Sequence, residues 1–174
     1  QDFNVHFKHE DGSVEKVPFF GLNTKELKDV FAPSCLSCFD YVNSLADLVV
    51  GYMGAPFGWQ WIVVRNDTGQ EMLDLVMEQL NTQPVMSQGN RIPAVQQSIP
   101  AYEKGVTLPM WAAKLMGVFI ERIGPKGLEY ARFSIDSHFT RNYLYVKRNY
   151  PEKLEAHVPE FAKRIVGQYK LPES

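Results

Sequence analysis

Apolar and polar residues alternate at the start of the chain. In FNVHFKHEDGSVEKVPFF, Phe3, Val5 and Phe7 share one face, Asp11-Gly12 make a turn, and Val14 and Val17 resume the apolar positions. A period of two on either side of an Asp-Gly pair predicts a β-hairpin. NTKELKDVFAP then predicts a short helix, with Asn23 or Thr24 as N-cap and Glu26 in the first turn, stopped by Pro33 just before Cys35. DYVNSLADLVVGYMGAPFG predicts one helical turn and a strand at Leu48-Val49-Val50, closed by Gly51, Gly54 and Gly58. In GWQWIVVRNDTG, Trp59, Trp61 and Val63 alternate with Gln60, Ile62 and Val64, which predicts the clearest strand, and Asn66 to Gly69 read as a turn.

The period then changes. Met72, Leu75, Val76 and Gln79 recur at helical spacing. Residues 81–107 are poor in periodicity and rich in Gln, Pro and Gly, an irregular excursion with one helix near Ala94 to Lys104. LPMWAAKLMGVFI, from Leu108 to Ile120, reads as a core helix. A second helix follows Gly127, with Leu128, Ala131, Ile135, Phe139 and Val146 on one stripe, and a third begins at Pro159 with Phe161, Ile165 and Tyr169. Strands come first and helices last, with a strand-to-helix unit between them. The predicted fold class is α+β (mixed α/β), with a hairpin and short sheet at the start and helices packed at the carboxy-terminal end. Three regions follow, 1–80, 81–107 and 108–174, without internal repeats.

At 174 residues the chain has the size of one domain, enough to bury roughly two-thirds of the surface its unfolded form exposes. Eighteen Lys and Arg against twenty Asp and Glu give a net charge of −2. Without a basic run to track a phosphate backbone, nucleic acid is not an expected partner. The apolar stretch at Leu108 to Ile120 is shorter than the roughly 20 residues a bilayer crossing needs and carries Lys114, so a soluble protein is expected. The chain opens on Gln1, already strand-like, and processing or truncation upstream is expected.

The only two cysteines, Cys35 and Cys38, form a Cys-x-x-Cys pair. Two sulfurs at that spacing can share one metal ion or one iron–sulfur cluster, but such sites want four ligands. Zinc completed by His6 and His9 is one reading, although their hairpin positions suit it poorly. A thioredoxin-like dithiol is another, and Pro33 before the pair fits that badly. A structural disulfide or two buried thiols is the plainest reading, and a cluster completed by ligands from another segment is the fourth.

SCLSCFDYVNSLADLVVGYMG followed by VVRNDTGQEML resembles the family of flavin and iron–sulfur proteins that includes the beta subunit of deazaflavin-reducing hydrogenases. The closing ARFSIDSHFTRNYLYVKRNYPEKLEAHVPEFAKRIVGQY is similar to the plant and cyanobacterial branch, which reduces chlorophyll-type tetrapyrroles. The resemblance spans nearly all of the chain and makes it the carboxy-terminal part of such a protein. It implies an oxidoreductase with FAD and a 4Fe-4S cluster, in which Cys35 and Cys38 ligate the cluster together with cysteines of a missing amino-terminal part. Reduced ferredoxin would be the electron donor, and the pigment's hydroxymethyl group the target. The same motifs would serve a vinyl-group reductase of that branch or an electron-transfer subunit of a hydrogenase or formate dehydrogenase. The implied place is the chloroplast stroma or thylakoid surface, and a homo-oligomer is compatible with it.

The resemblance also puts the flavin near residues 40–54. Asn43 and Asp47 are the implied hydrogen-bonding side chains, Gly51 and Gly54 the implied backbone contacts, and Arg65 belongs to the same set; alternatively, Asn43 caps a turn, Asp47 caps a helix or pairs with Arg65, and the glycines only turn the chain. Removing a hydroxyl as water needs a general acid. His138 and Asp136 are the candidates, because histidine titrates in the right range, although a histidine on an amphipathic helix is more often structural.

Overall fold

The computed structural model describes residues 4–22, 30–104 and 108–171, with 101–104 described by backbone alone. The helix expected at Asn23, Thr24 and Glu26 lies outside the described residues. The hairpin forms as predicted from β1 (Asn4–Lys8) and β2 (Val14–Pro18), antiparallel, with Val5 opposite Val17 and Phe7 opposite Glu15. At the turn, the Asp11 carboxylate accepts from the Ser13 backbone N–H and hydroxyl, and Gly12 takes φ +84°. Val14 and Val17 are three residues apart, so the pleat sends them to opposite faces.

Pro33 opens a helix where the sequence suggested a stop. It occupies the first position of α1 (Pro33–Leu36), where a backbone N–H would have no helical partner anyway. The helical turn expected near Asp40 is replaced by two successive β-turns, with Asn43 N–H donating to Asp40 O and Ala46 N–H to Asn43 O, both at 3.1 Å. The Asp40 carboxylate takes the Ser44 N–H and hydroxyl, which a continuing helix would have used otherwise. Asn43 holds φ +50°, a conformation asparagine tolerates better than most residues.

β3 (Leu48–Gly51) and β4 (Trp61–Val64) pair antiparallel, from Leu48 opposite Val64 to Gly51 opposite Trp61. The segment read as a turn at Asn66 to Gly69 is the start of α2 (Asp67–Asp74), with Asn66 as N-cap accepting from Gly69 N–H at 2.9 Å. Capping and turn formation use the same short polar side chain, which is why sequence alone confuses them.

The excursion holds β5 (Ser87–Gln88) and α3 (Arg91–Lys104), which starts three residues ahead of the predicted Ala94. α4 (Met110–Ile123) corrects the core-helix expectation. Only Ala113 and Gly117 are buried, while Trp111, Leu115 and Phe119 are 70%, 62% and 56% exposed. The helix is apolar on several sides and packs through its narrow side, against β2 and the 3-10 turn at Phe19–Gly21. Space there is tight, since a Cβ on Gly21 would meet Met110 Sδ at 2.8 Å.

β6 (Lys126–Gly127) pairs with β5 and leads into the 22-residue α5 (Leu128–Asn149). α6 (Leu154–His157) and α7 (Glu160–Val166) complete the chain's helices among the described residues. α5 is the axis of the packing. One side joins Phe39, Val158, Ala162 and Val166 through its Phe139 and Val146, and another meets Val95 and Ile99 of α3 through Leu144. Full burial of such side chains stabilises by about 1.5–3 kcal/mol each. The fold is α+β, with short antiparallel sheets towards the amino-terminal part and helices dominating the rest. No helix among the described residues is long and apolar enough to cross a membrane.

Candidate functional site

Cys35 lies in α1 and Cys38 just beyond it, both free and exposed. They are neither a disulfide nor buried thiols. Cys38 Sγ accepts the Asp40 backbone N–H at 3.4 Å. Their loop is fastened to the helices at several points. Phe39 is buried and stacks at an angle on Phe139, His157 Nε2 lies 2.8 Å from Ser37 O, and Asn142 reaches both cysteine backbones. Asn142 Nδ2 donates to Cys35 O at 3.1 Å and to Cys38 O at 2.7 Å, from a position with no solvent exposure.

His138, one turn earlier on α5, borders the same loop. Its ring stacks on Tyr41 at 4.2 Å between centroids. Arg141 Nη2 is 2.9 Å from His138 Nδ1, and because a guanidinium only donates, that nitrogen accepts and the ring proton sits on Nε2. Asn142 Nδ2 is 3.1 Å from Nε2, but both its hydrogens serve the cysteine carbonyls. Burial pushes the His138 pKa down to about 4, helped by the Arg141 charge and opposed by the backbone contact with Cys38. The imidazole is therefore neutral at pH 7.

Asp136 is two residues from His138, about 200° around the helix, and the structure does not bring the two together. Its Oδ2 accepts from Arg91 Nε at 2.8 Å and from the Tyr169 hydroxyl. Burial, then the bond to Asp136, raise the Tyr169 pKa above the ordinary tyrosine range. This trio ties α3 and the residues after α7 to α5.

The residues implied for a flavin surround the β3–β4 pair. Asp47 Oδ1 accepts from Asn66 Nδ2 at 2.6 Å, its backbone carbonyl accepts from Arg65 N–H at 2.9 Å, and the Arg65 guanidinium donates to Val42 O. Asp47 and Arg65 thus hold the 42–47 turns, and the two side chains are not paired with each other. At Gly54, φ is +78° and a Cβ would stand 2.3 Å from Gly127 O, so the close approach is made by the start of α5. A Cβ on Gly51 would meet nothing within 4 Å. Asn43 is exposed on its turn.

The donor set fits half of a four-ligand site. Among the described residues no group of three or more His, Cys, Asp or Glu could hold a metal ion, so His6 and His9 do not join the cysteines there. Beside Cys38 an open hollow of about 420 Å³ is lined by Ser37, Asp40, Ser44, His157 and Phe161. The Ser44 N–H, then its hydroxyl, hold the Asp40 pKa below the usual carboxylate value. Asn142 went unnoticed in the sequence although a signal was there, since it is the polar member of the Ile135, Phe139, Val146 stripe.

Residues 1–88 match the family model for the carboxy terminus of the beta subunit of coenzyme F420 hydrogenase/dehydrogenase. A protein of Nostoc sp. described as uncharacterized is 85% identical over 173 residues, 99% of this chain and 44% of that protein. The 7-hydroxymethyl chlorophyll a reductase, chloroplastic, of Oryza sativa subsp. japonica is 46% identical over 185 residues, 97% of this chain and 39% of the rice protein. The coenzyme F420 hydrogenase subunit beta of Methanosarcina barkeri is 36% identical over 63 residues, 36% of this chain and 20% of that protein. The chain spans less than half the length of each of these relatives.

Proposed function

The chain belongs to the family defined by the carboxy terminus of the coenzyme F420 hydrogenase/dehydrogenase beta subunit, and from that premise we propose that it is the carboxy-terminal part of a ferredoxin-dependent reductase converting 7-hydroxymethyl chlorophyll a to chlorophyll a. The observation that carries the reading is the 46% identity to the rice reductase over 97% of the chain. It runs past residue 88, where the family model ends, through the helices that hold the cysteine loop.

Cys35 and Cys38 hold one side of a 4Fe-4S cluster, with the remaining ligands supplied by the amino-terminal part. The cluster and FAD, held there, would supply the conversion of single electrons from reduced ferredoxin into the pair that removing a hydroxyl requires. Asn43 and the open surface at Gly51 are this chain's direct contacts to the flavin. Asp47, Arg65 and Gly54 act one step back, by fixing the turns and the loop that present them. His138 serves the cysteine loop as a neutral hydrogen-bonding group, since its one ring proton faces Cys38 O, and Asp136 serves the fold. The tetrapyrrole substrate places the protein where chlorophyll is turned over, in the chloroplast as for the rice relative or in a cyanobacterial cell as for the Nostoc relative.

The test is a visible spectrum of the holoprotein followed by incubation with reduced ferredoxin and each pigment. Flavin bands over a broad iron–sulfur shoulder, with conversion of the hydroxymethyl pigment, are the expected results. Conversion of a divinyl pigment alone would replace the substrate, and a colourless holoprotein would end the iron–sulfur flavoprotein reading.

A further inference from the structure

We infer that Asn142 is the positioning residue that fixes the spacing of the Cys35 and Cys38 sulfurs and so sets how firmly a cluster is retained, an inference that rests on the iron–sulfur reading above. One amide nitrogen bridges the two carbonyls, at 3.1 and 2.7 Å, of the two residues whose side chains would bind iron. The amide cannot turn round without loss, because its Oδ1 receives Arg141 Nε at 3.3 Å and its Nδ2 is the donor to Cys35 O. α1 spans four residues, so the carbonyl of Cys35 has no helical N–H to accept and depends on a partner from elsewhere.

The other fastenings of the loop do not do this. His157 holds Ser37 O, between the cysteines, and Phe39 anchors the chain after them. With Asn142 replaced, the loop would stay docked through those two and His138 would still hold Cys38 O, but Cys35 O would lose its donor and the two cysteine backbones the one group that ties them to each other. Groups that orient metal ligands in this way typically account for about 10- to 100-fold in metal retention. The clamp comes from α5, beyond the residues that the family model covers.

The experiment follows iron release from the reduced holoprotein to a ferrous chelator, alongside the thermal midpoint. Asn142→Leu is expected to release iron at least about tenfold faster than the unsubstituted protein. Asn142→Ser, which keeps one O–H donor on a shorter side chain, is expected to fall between them. Ile99→Ala opens a cavity between α3 and α5, on the other side of the helix, and is expected to lower the thermal midpoint without speeding release. Wild-type release rates in both Asn142 variants would overturn the inference, as would equal acceleration by Ile99→Ala. An iron-free unsubstituted holoprotein would instead overturn the iron–sulfur reading beneath it.

Discussion

A second proton on His138 would have to sit at Nδ1, facing the Arg141 guanidinium in a half-buried setting, and burial with that like charge resists it. The ring is expected to titrate at about 4, observed by following its NMR shifts with pH. An unfolded histidine titrates near 6.5, so between these values the unfolded chain binds more protons than the folded one. The His138 contribution to stability is then fully present above about pH 6.5 and is lost as pH falls towards the folded value. Arg141→Gln is expected to raise the ring pKa but leave it below 6.5, because burial is the larger cause. A ring that titrates near 6.5 in the unsubstituted protein would refute the buried geometry.

At the scale of elements, periodicity was a good guide to type and a poor guide to surroundings. The hairpin could be read because Val5 and Phe7 alternate about an Asp-Gly turn, and the register follows from it. Pro33 and Asn66 begin helices where the sequence suggests a stop and a turn, because a residue that ends one element is chemically suited to begin the next. Cys35 and Cys38 were legible as a pair, but their contact with α5 was not, since nothing local records which turn of a distant helix meets a loop. α4 shows the same limit: apolar residues on several sides signal a helix without saying which side is covered. With Trp111, Leu115 and Phe119 in solvent, Leu115→Glu with Phe119→Glu gives up little intramolecular burial. Each is expected to change the unfolding free energy by less than about 0.5 kcal/mol in a denaturant titration. A loss several times larger would show that this face is covered in the folded chain.

At the scale of the molecule, α5 is where the cysteine loop, the β3–β4 loop and α3 converge, through Asn142, Gly127 with Gly54, and Asp136 respectively. The Asp136 junction tests whether the helical half behaves as one unit. Removing one member of a buried pair typically costs about 3–5 kcal/mol because the other charge is left uncompensated. Here the cost is reduced, since the Arg91 side chain is 24% exposed and keeps Glu129 at 3.4 Å. Asp136→Asn is therefore expected to cost about 2 kcal/mol, below that range. For a chain of this size that corresponds to a thermal midpoint about 4–8 °C lower. Tyr169 supplies an independent readout, because the Asp136 carboxylate is the second cause of its raised pKa, after burial. In the variant its phenol is expected to ionise at lower pH than in the parent, yet still above a free tyrosine, as followed by ultraviolet titration. If the midpoint fell without a change in the Tyr169 titration, the phenol would not be bonded to Asp136, and the tie between α5 and the chain after α7 would have to run through apolar packing alone.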